Sequence, residues 1–125
     1  MLKDTDVIAT IAVKNLEAAK KFYGGTLGLA PGAGTQQDVL TFKSGTSSLL
    51  VYESPYAGTN RATSATWAVA DVDAEVKALK AKGVVFEHYP NLGLEVRGDV
   101  HVRGNFKGAW LKDPDGNILH IVTRS

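Results

Sequence analysis

The sequence contains no cysteine among its 125 residues. That excludes a disulfide framework, a thiol nucleophile, a zinc finger and a cysteine-ligated cluster, and leaves the redox compartment open. The chain also lacks an excess of one charge: 14 basic and 13 acidic side chains give a formal net charge of +1. Lys and Arg are spread along its length, without the basic stripe that nucleic-acid binding needs. Long apolar runs are missing too. Val7 to Val13 is the longest nearly apolar stretch, seven residues interrupted by Thr10, against about 20 for a bilayer span. No apolar segment follows the charged start Met1-Leu2-Lys3-Asp4-Thr5-Asp6, so no signal peptide is expected. These absences predict a soluble cytoplasmic protein with neither a nucleic-acid nor a membrane partner.

What is present is a globular composition, 44% hydrophobic and 22% charged, in a chain long enough to bury a core without staples. Val7 to Val13 reads as a buried strand. Asn15 offers a helix N-cap, and Leu16, Ala19 and Tyr23 share one helical face that Gly24-Gly25 is expected to close. Short strands are predicted around Leu29-Ala30, Val39 to Lys43 and Ser48 to Glu53, with Tyr56 to Thr63 as a connecting loop. The pattern then restarts: strand Ala65 to Val69, N-cap Asp71, apolar stripe Val72, Val76 and Leu79, stop at Gly83, strand Val84 to Glu87. Residues 88 to 108 read as irregular, and Ala109 to Lys112 with Ile118 to Thr123 as a hairpin.

The halves align at a fixed offset. Val13 corresponds to Val69, Asn15 to Asp71, Leu16 to Val72 and Tyr23 to Leu79, each 56 residues apart. Gly45 and Gly116 are 71 apart, and the 15 extra residues are read as loop within 88 to 108. Any two strand–helix units look somewhat alike, but the constant offset favours a duplicated β-α-β-β-β unit. One domain over 1–125 is expected, with module one about 1–57 and module two about 58–125.

Two stretches carry a signature. Val13-Lys14-Asn15-Leu16-Glu17-Ala18-Ala19-Lys20-Lys21-Phe22-Tyr23, followed by Leu27-Gly28-Leu29, resembles the strand–helix opening of the vicinal oxygen chelate superfamily, which comprises glyoxalase, bleomycin-resistance and extradiol dioxygenase proteins. Asp113-Pro114-Asp115-Gly116-Asn117-Ile118-Leu119-His120-Ile121 resembles the hairpin closing their second module, and Val69-Ala70-Asp71-Val72-Asp73-Ala74 and Lys82-Gly83-Val84 fit the second strand–helix unit. The resemblance covers essentially the whole chain. It implies an α+β fold of two tandem βαβββ modules whose mixed sheets curve into a cup, helices on the convex side. It also implies a homodimer and a small organic ligand.

The resemblance further implies four side chains projecting into the cup, which in metal-dependent members bind a divalent ion. They fall on Ile8, Leu49, Ser64 and His120. Ile8 and Leu49 have no donor atoms, Ser64 is a poor ligand, and a catalytic metal needs about three protein ligands. No cofactor and no divalent metal are therefore expected. His88 and His101 read as surface loop residues that could fold over the cup, with Glu53, Glu95 and Asp99 as possible oxygen donors. Asp113, Asp115 and Asn117 read as turn chemistry.

Strand alternation extends the expected cup to Thr10, Ala12, Val51, Glu53, Thr66 and Ala68, and puts Trp110 and its first-half counterpart, near Thr41, on the concave face. Phe42, Trp67 and Leu111 are expected beneath the helices. Tyr52, Tyr56, Arg61, Tyr89, Arg97 and Arg103 fall on or near the two long loops, where recognition groups are often carried. Such a lining suits a partly apolar organic molecule. The leading reading is a metal-free small-molecule binder like the drug-sequestering members of that superfamily. The alternative is a glyoxalase-related lyase or isomerase, or another enzyme of the superfamily, using His120 and Glu53 as an acid–base pair or a rebuilt metal site. A third reading gives the importance to a dimer surface.

Overall fold

Asn15 and Asp71 each start a helix in the same way. The side-chain Oδ1 accepts the backbone N–H three residues on, from Ala18 at 3.1 Å and from Ala74 at 3.0 Å, which satisfies a donor the helix leaves unpaired. In the computed structural model, which describes residues 1–33 and 38–124, the first helix is a single turn, α1 (Leu16–Ala19), continued by a wider π-helix over Lys20–Thr26. It runs through Gly24-Gly25 instead of ending there. The left-handed glycine that closes it is Gly28, φ 77°. The second helix, α2 (Val72–Ala81), buries Val72, Val76 and Leu79 and stops before Gly83, φ 92°.

Two open mixed sheets make up the α+β fold. The first holds β1 (Ala9–Val13), β2 (Ala30–Pro31), β3 (Val39–Ser44) and β4 (Ser47–Glu53) in the order β1-β4-β3-β2, with β1 parallel to β4. In the second are β5 (Thr63–Val69), β6 (Phe86–Glu87), β7 (Glu95–Arg97), β8 (Val100–Arg103), β9 (Phe106–Lys112) and β10 (Ile118–Thr123). Their order is β5-β10-β9-β8-β7, with β6 also on β9 and β5 parallel to β10. β1 lies beside β5, so the sheets adjoin. The stretch 88 to 108, expected to be irregular, contains β7 and β8. Their three- and four-residue runs are too short to show a period, and Gly98, φ 63°, and Gly104, φ 57°, make the tight turns from β7 to β8 and from β8 to β9.

One face of both sheets feeds a single apolar cluster. Ile11, Val13, Phe42, Leu49 and Val51 come from the first sheet, and Ala109, Leu111, Leu119 and Ile121 from the second, under α1 and α2. Phe42 and Leu111 thus lie where expected, with Trp67 packed against the cluster and its Nε1 donating to Ser44 Oγ at 2.9 Å.

The hairpin Asp113–Asn117 fastens the second half to the first. Asp113 Oδ1 accepts the backbone N–H groups of Asp115 and Asn117, both at 2.9 Å. Its Oδ2 accepts the buried Tyr23 hydroxyl at 2.7 Å. Asn117 Nδ2 donates to the Ala12 carbonyl at 2.7 Å, and Asp115 Oδ2 accepts the Lys14 N–H at 3.0 Å. These side chains are turn and clasp groups. None of the described helices is long and apolar enough to cross a membrane.

Candidate ligand-binding site

The face opposite the core carries the site. In β10, Leu119 and Ile121 enter the core, so His120 points the other way, and the register sets it between Thr66 on β5 and Trp110 on β9. Thr10, Ser64, Thr66, Trp110 and His120, all expected in the cup, therefore share the open side, while Ile8 lies just ahead of β1. Thr10 and Thr66 are exposed and Ile8 is half exposed.

Leu49, Val51 and Glu53 do not join them. Leu49 pairs with Ala9, Val51 with Ile11 and Glu53 with Val13, and paired Cα atoms of neighbouring strands point to the same face. Leu49 and Val51 are consequently core residues, 3% and 0% exposed. The position across from Thr41 on the open face, equivalent to His120 across from Trp110, is Leu50. The reason is turn length. Two residues, Gly45-Thr46, join β3 to β4, whereas five, Asp113 to Asn117, join β9 to β10. Equal counts from the turn glycine arrive in opposite phase, and a shift of one residue moves every side chain to the other face. Glu53 lines a separate depression with Lys14, Ser54 and Pro55, so no His120–Glu53 pair is assembled.

Around Trp110 the open face is aromatic. The His120 imidazole stacks on the indole, centroids 4.2 Å apart and planes within 6°. Two edge contacts complete the setting, His101 at 4.8 Å and Tyr89 at 5.4 Å. Phe106 tilts against His120 at 6.5 Å. His101, expected on a loop surface, is fully buried on β8 between Val100 and Val102, where strand alternation places it on the Trp110 side. His88 is the loop residue expected, its Nε2 2.8 Å from Asp99 Oδ1.

Burial sets the charge state of this cluster. His101 Nε2 accepts the Tyr89 backbone N–H at 2.9 Å, which leaves its ring proton on Nδ1. Desolvation holds the His101 pKa below the ordinary histidine value, against an opposing contribution from the Gly108 backbone and with a smaller push from His88. Desolvation, then His101, lowers His120 as well. The Nε2 of His120 is buried without a partner over Gly108, where an added Cβ would lie 2.8 Å from it. Glycine at 108 is what makes room for the ring.

A cavity of about 630 Å³ opens on the other side of the indole. Its walls include Trp110, Tyr89, Ile118, Thr63, Arg61 and His88, with the turn Pro90–Leu92 along one edge. The Trp110 Nε1 reaches Thr63 Oγ1 at 3.3 Å. His120 supports the indole and does not line the cavity. Arg61 lies far in sequence from the adjacent His88 and Tyr89, and only the fold reveals their convergence; the loop position was the one signal available.

The divalent metal of the resembled superfamily does not fit these residues. Ile8 offers no donor, Leu49 is turned into the core, and His120 Nε2 is packed against Gly108. Among the described residues no three His, Asp or Glu side chains gather as a metal-holding group. Glu95 pairs with Arg97, and Asp99 with Lys80 and His88.

A family model described as Glyoxalase/Bleomycin resistance protein/Dioxygenase superfamily matches residues 6–121. No curated protein sequence matches. Among solved structures, the bleomycin resistance determinant encoded on transposon Tn5 superposes with a TM-score of 0.72 at 15% identity, covering 96% of this chain and 98% of that one. A lactoylglutathione lyase from Agrobacterium tumefaciens gives 0.71 at 18% identity, over 95% and 93%. A glyoxalase/bleomycin resistance protein/dioxygenase from Alicyclobacillus acidocaldarius gives 0.70 at 22% identity, over 99% and 95%. At these identities the likeness is one of fold.

Proposed function

The chain belongs to the glyoxalase/bleomycin resistance protein/dioxygenase superfamily, and from that premise we propose that it binds a small organic molecule without a catalytic metal. The observation that carries the reading is the Trp110 indole, 9% exposed, gripped by the rings of His101, Tyr89 and His120 and lining the open cavity. A rigid aromatic surface beside a few polar groups is how organic ligands are commonly held. His120 does not line this cavity, and its Nε2 is sealed over Gly108, so that nitrogen does not reach a molecule held there.

A homodimer belongs to the same proposal. Tyr52, on the open face of the first sheet, is 38% exposed, and Ile8, just ahead of β1, is 50% exposed, apolar surface that a second copy of the chain would cover.

Screening an organic ligand library by thermal shift tests the reading, since a ligand bound only to the folded state raises Tm by mass action. The expected result is a set of ligands that stabilise the wild type and lose that effect with Trp110→Ala. Elemental analysis showing a stoichiometric divalent metal would overturn the metal-free part.

A further inference from the structure

The cavity beside Trp110 has a sign of charge as well as a shape. Its ionisable lining consists of Arg61, His88 and the Tyr89 phenol, with no carboxylate among the lining residues. Asp99, behind His88, already meets Lys80 Nζ at 2.6 Å. Glu87, which the β6–β9 register places on the Trp110 side, lies 3.5 Å from Lys112 Nζ. Arg61 forms no ion pair or hydrogen bond among the described residues. A guanidinium presents two parallel N–H donors that match the two oxygens of a carboxylate. The Tyr89 hydroxyl is buried without a partner, and desolvation, then Glu87, raises its pKa further from neutrality, so this wall offers the cavity an uncharged ring.

Resting on the small-molecule reading, we propose that this cavity takes a planar aromatic monocarboxylate, its ring against the Trp110 and Tyr89 walls and its carboxylate at Arg61. A neutral carboxamide of the same shape gains the walls but lacks the charge and the second acceptor oxygen that the guanidinium matches. A cationic ring meets Arg61 with no lining carboxylate to compensate it. The ligand class is thus set by the loop that enters β5, while the aromatic walls come from β9 and the residues following β6.

Three probes of one shape separate these cases by isothermal titration calorimetry on the whole protein: 2-naphthoate, 2-naphthamide and 2-naphthylmethylammonium. The naphthoate is expected to bind about tenfold more tightly than the amide, as one charge-assisted contact supplies, with the ammonium weakest. Raising the salt concentration should shrink the naphthoate preference, because Arg61 is exposed. Arg61→Gln, a surface change that leaves the core untouched, should erase the preference and keep the amide affinity within about twofold. Equal binding of all three, or an unchanged preference in Arg61→Gln, overturns the anion assignment while small-molecule binding stands. No binding of any probe at millimolar concentration overturns both.

Discussion

The His120 imidazole lies face to face with the Trp110 indole, centroids 4.2 Å apart and planes within 6°, with its Nε2 over the bare Cα of Gly108. Gly108 leaves the space, His120 fills it, and Trp110 rests on His120. Replacing Gly108 with Ala forces its Cβ against His120 Nε2 and the Phe106 ring, at 2.8 and 3.0 Å. Overpacking of this kind costs about 1–3 kcal/mol. Gly108→Ala should lower stability by that amount in urea unfolding and weaken binding at Trp110.

The buried His101 and the half-buried His120 make stability depend on pH in a defined direction. Burial is the first cause of the lowered pKa of both His101 and His120. The unfolded chain therefore takes up protons on these rings first, at about pH 6.5. Their contribution to stability is fully present above that pH and is lost as pH falls through the lowered folded-state values. NMR titration of the ring protons should give midpoints for both residues below the ordinary histidine value. Urea unfolding midpoints should fall together with pH on the acid side of about 6.5.

Tyr23 and Asp113 form the buried contact of the clasp, hydroxyl to Oδ2 at 2.7 Å. Hydrogen bonds to charged groups contribute about 1.5–3 kcal/mol, so Tyr23→Phe should destabilise by that much. Desolvation, then the Asp113 charge and its hydrogen bond, raise the Tyr23 pKa far above its ordinary value. A raised value gives stability that is complete below the unfolded tyrosine pKa, about 10, and is lost above it. Equilibrium unfolding at alkaline pH should therefore show a loss in the wild type that is smaller in Tyr23→Phe.

The core placement of Leu49 separates two readings of the sequence by stability alone. Leu49→Ala should cost about 2–5 kcal/mol in chemical unfolding, as truncation of a buried leucine does. Thr10→Ala, on the exposed face, should stay within about 0.5 kcal/mol. Comparable small effects at both positions would place Leu49 back on the open face.

Much of this was legible from local chemistry. The caps Asn15 and Asp71, the Asp113–Asn117 turn and the alternation that turns His120 and Trp110 away from the core all follow from residue type and spacing over a few positions. The side of β4 facing the cup did not follow, because it depends on how a two-residue turn and a five-residue turn phase their return strands. His101 stayed hidden inside a strand too short to declare itself. Arg61, His88 and Trp110 meet only through sheet pairing and the turn at Pro90–Leu92, which no local pattern encodes.

The most direct measurement of the central claim is a ¹⁵N–¹H NMR titration of the indole N–H resonances with ligands that raise Tm. There are two tryptophans, Trp110 at the cavity and Trp67 packed against the core on the opposite face. The account predicts that the Trp110 resonance shifts saturably and that Trp67 stays in place. A shift confined to Trp67, or stabilising ligands that move neither resonance, would contradict it.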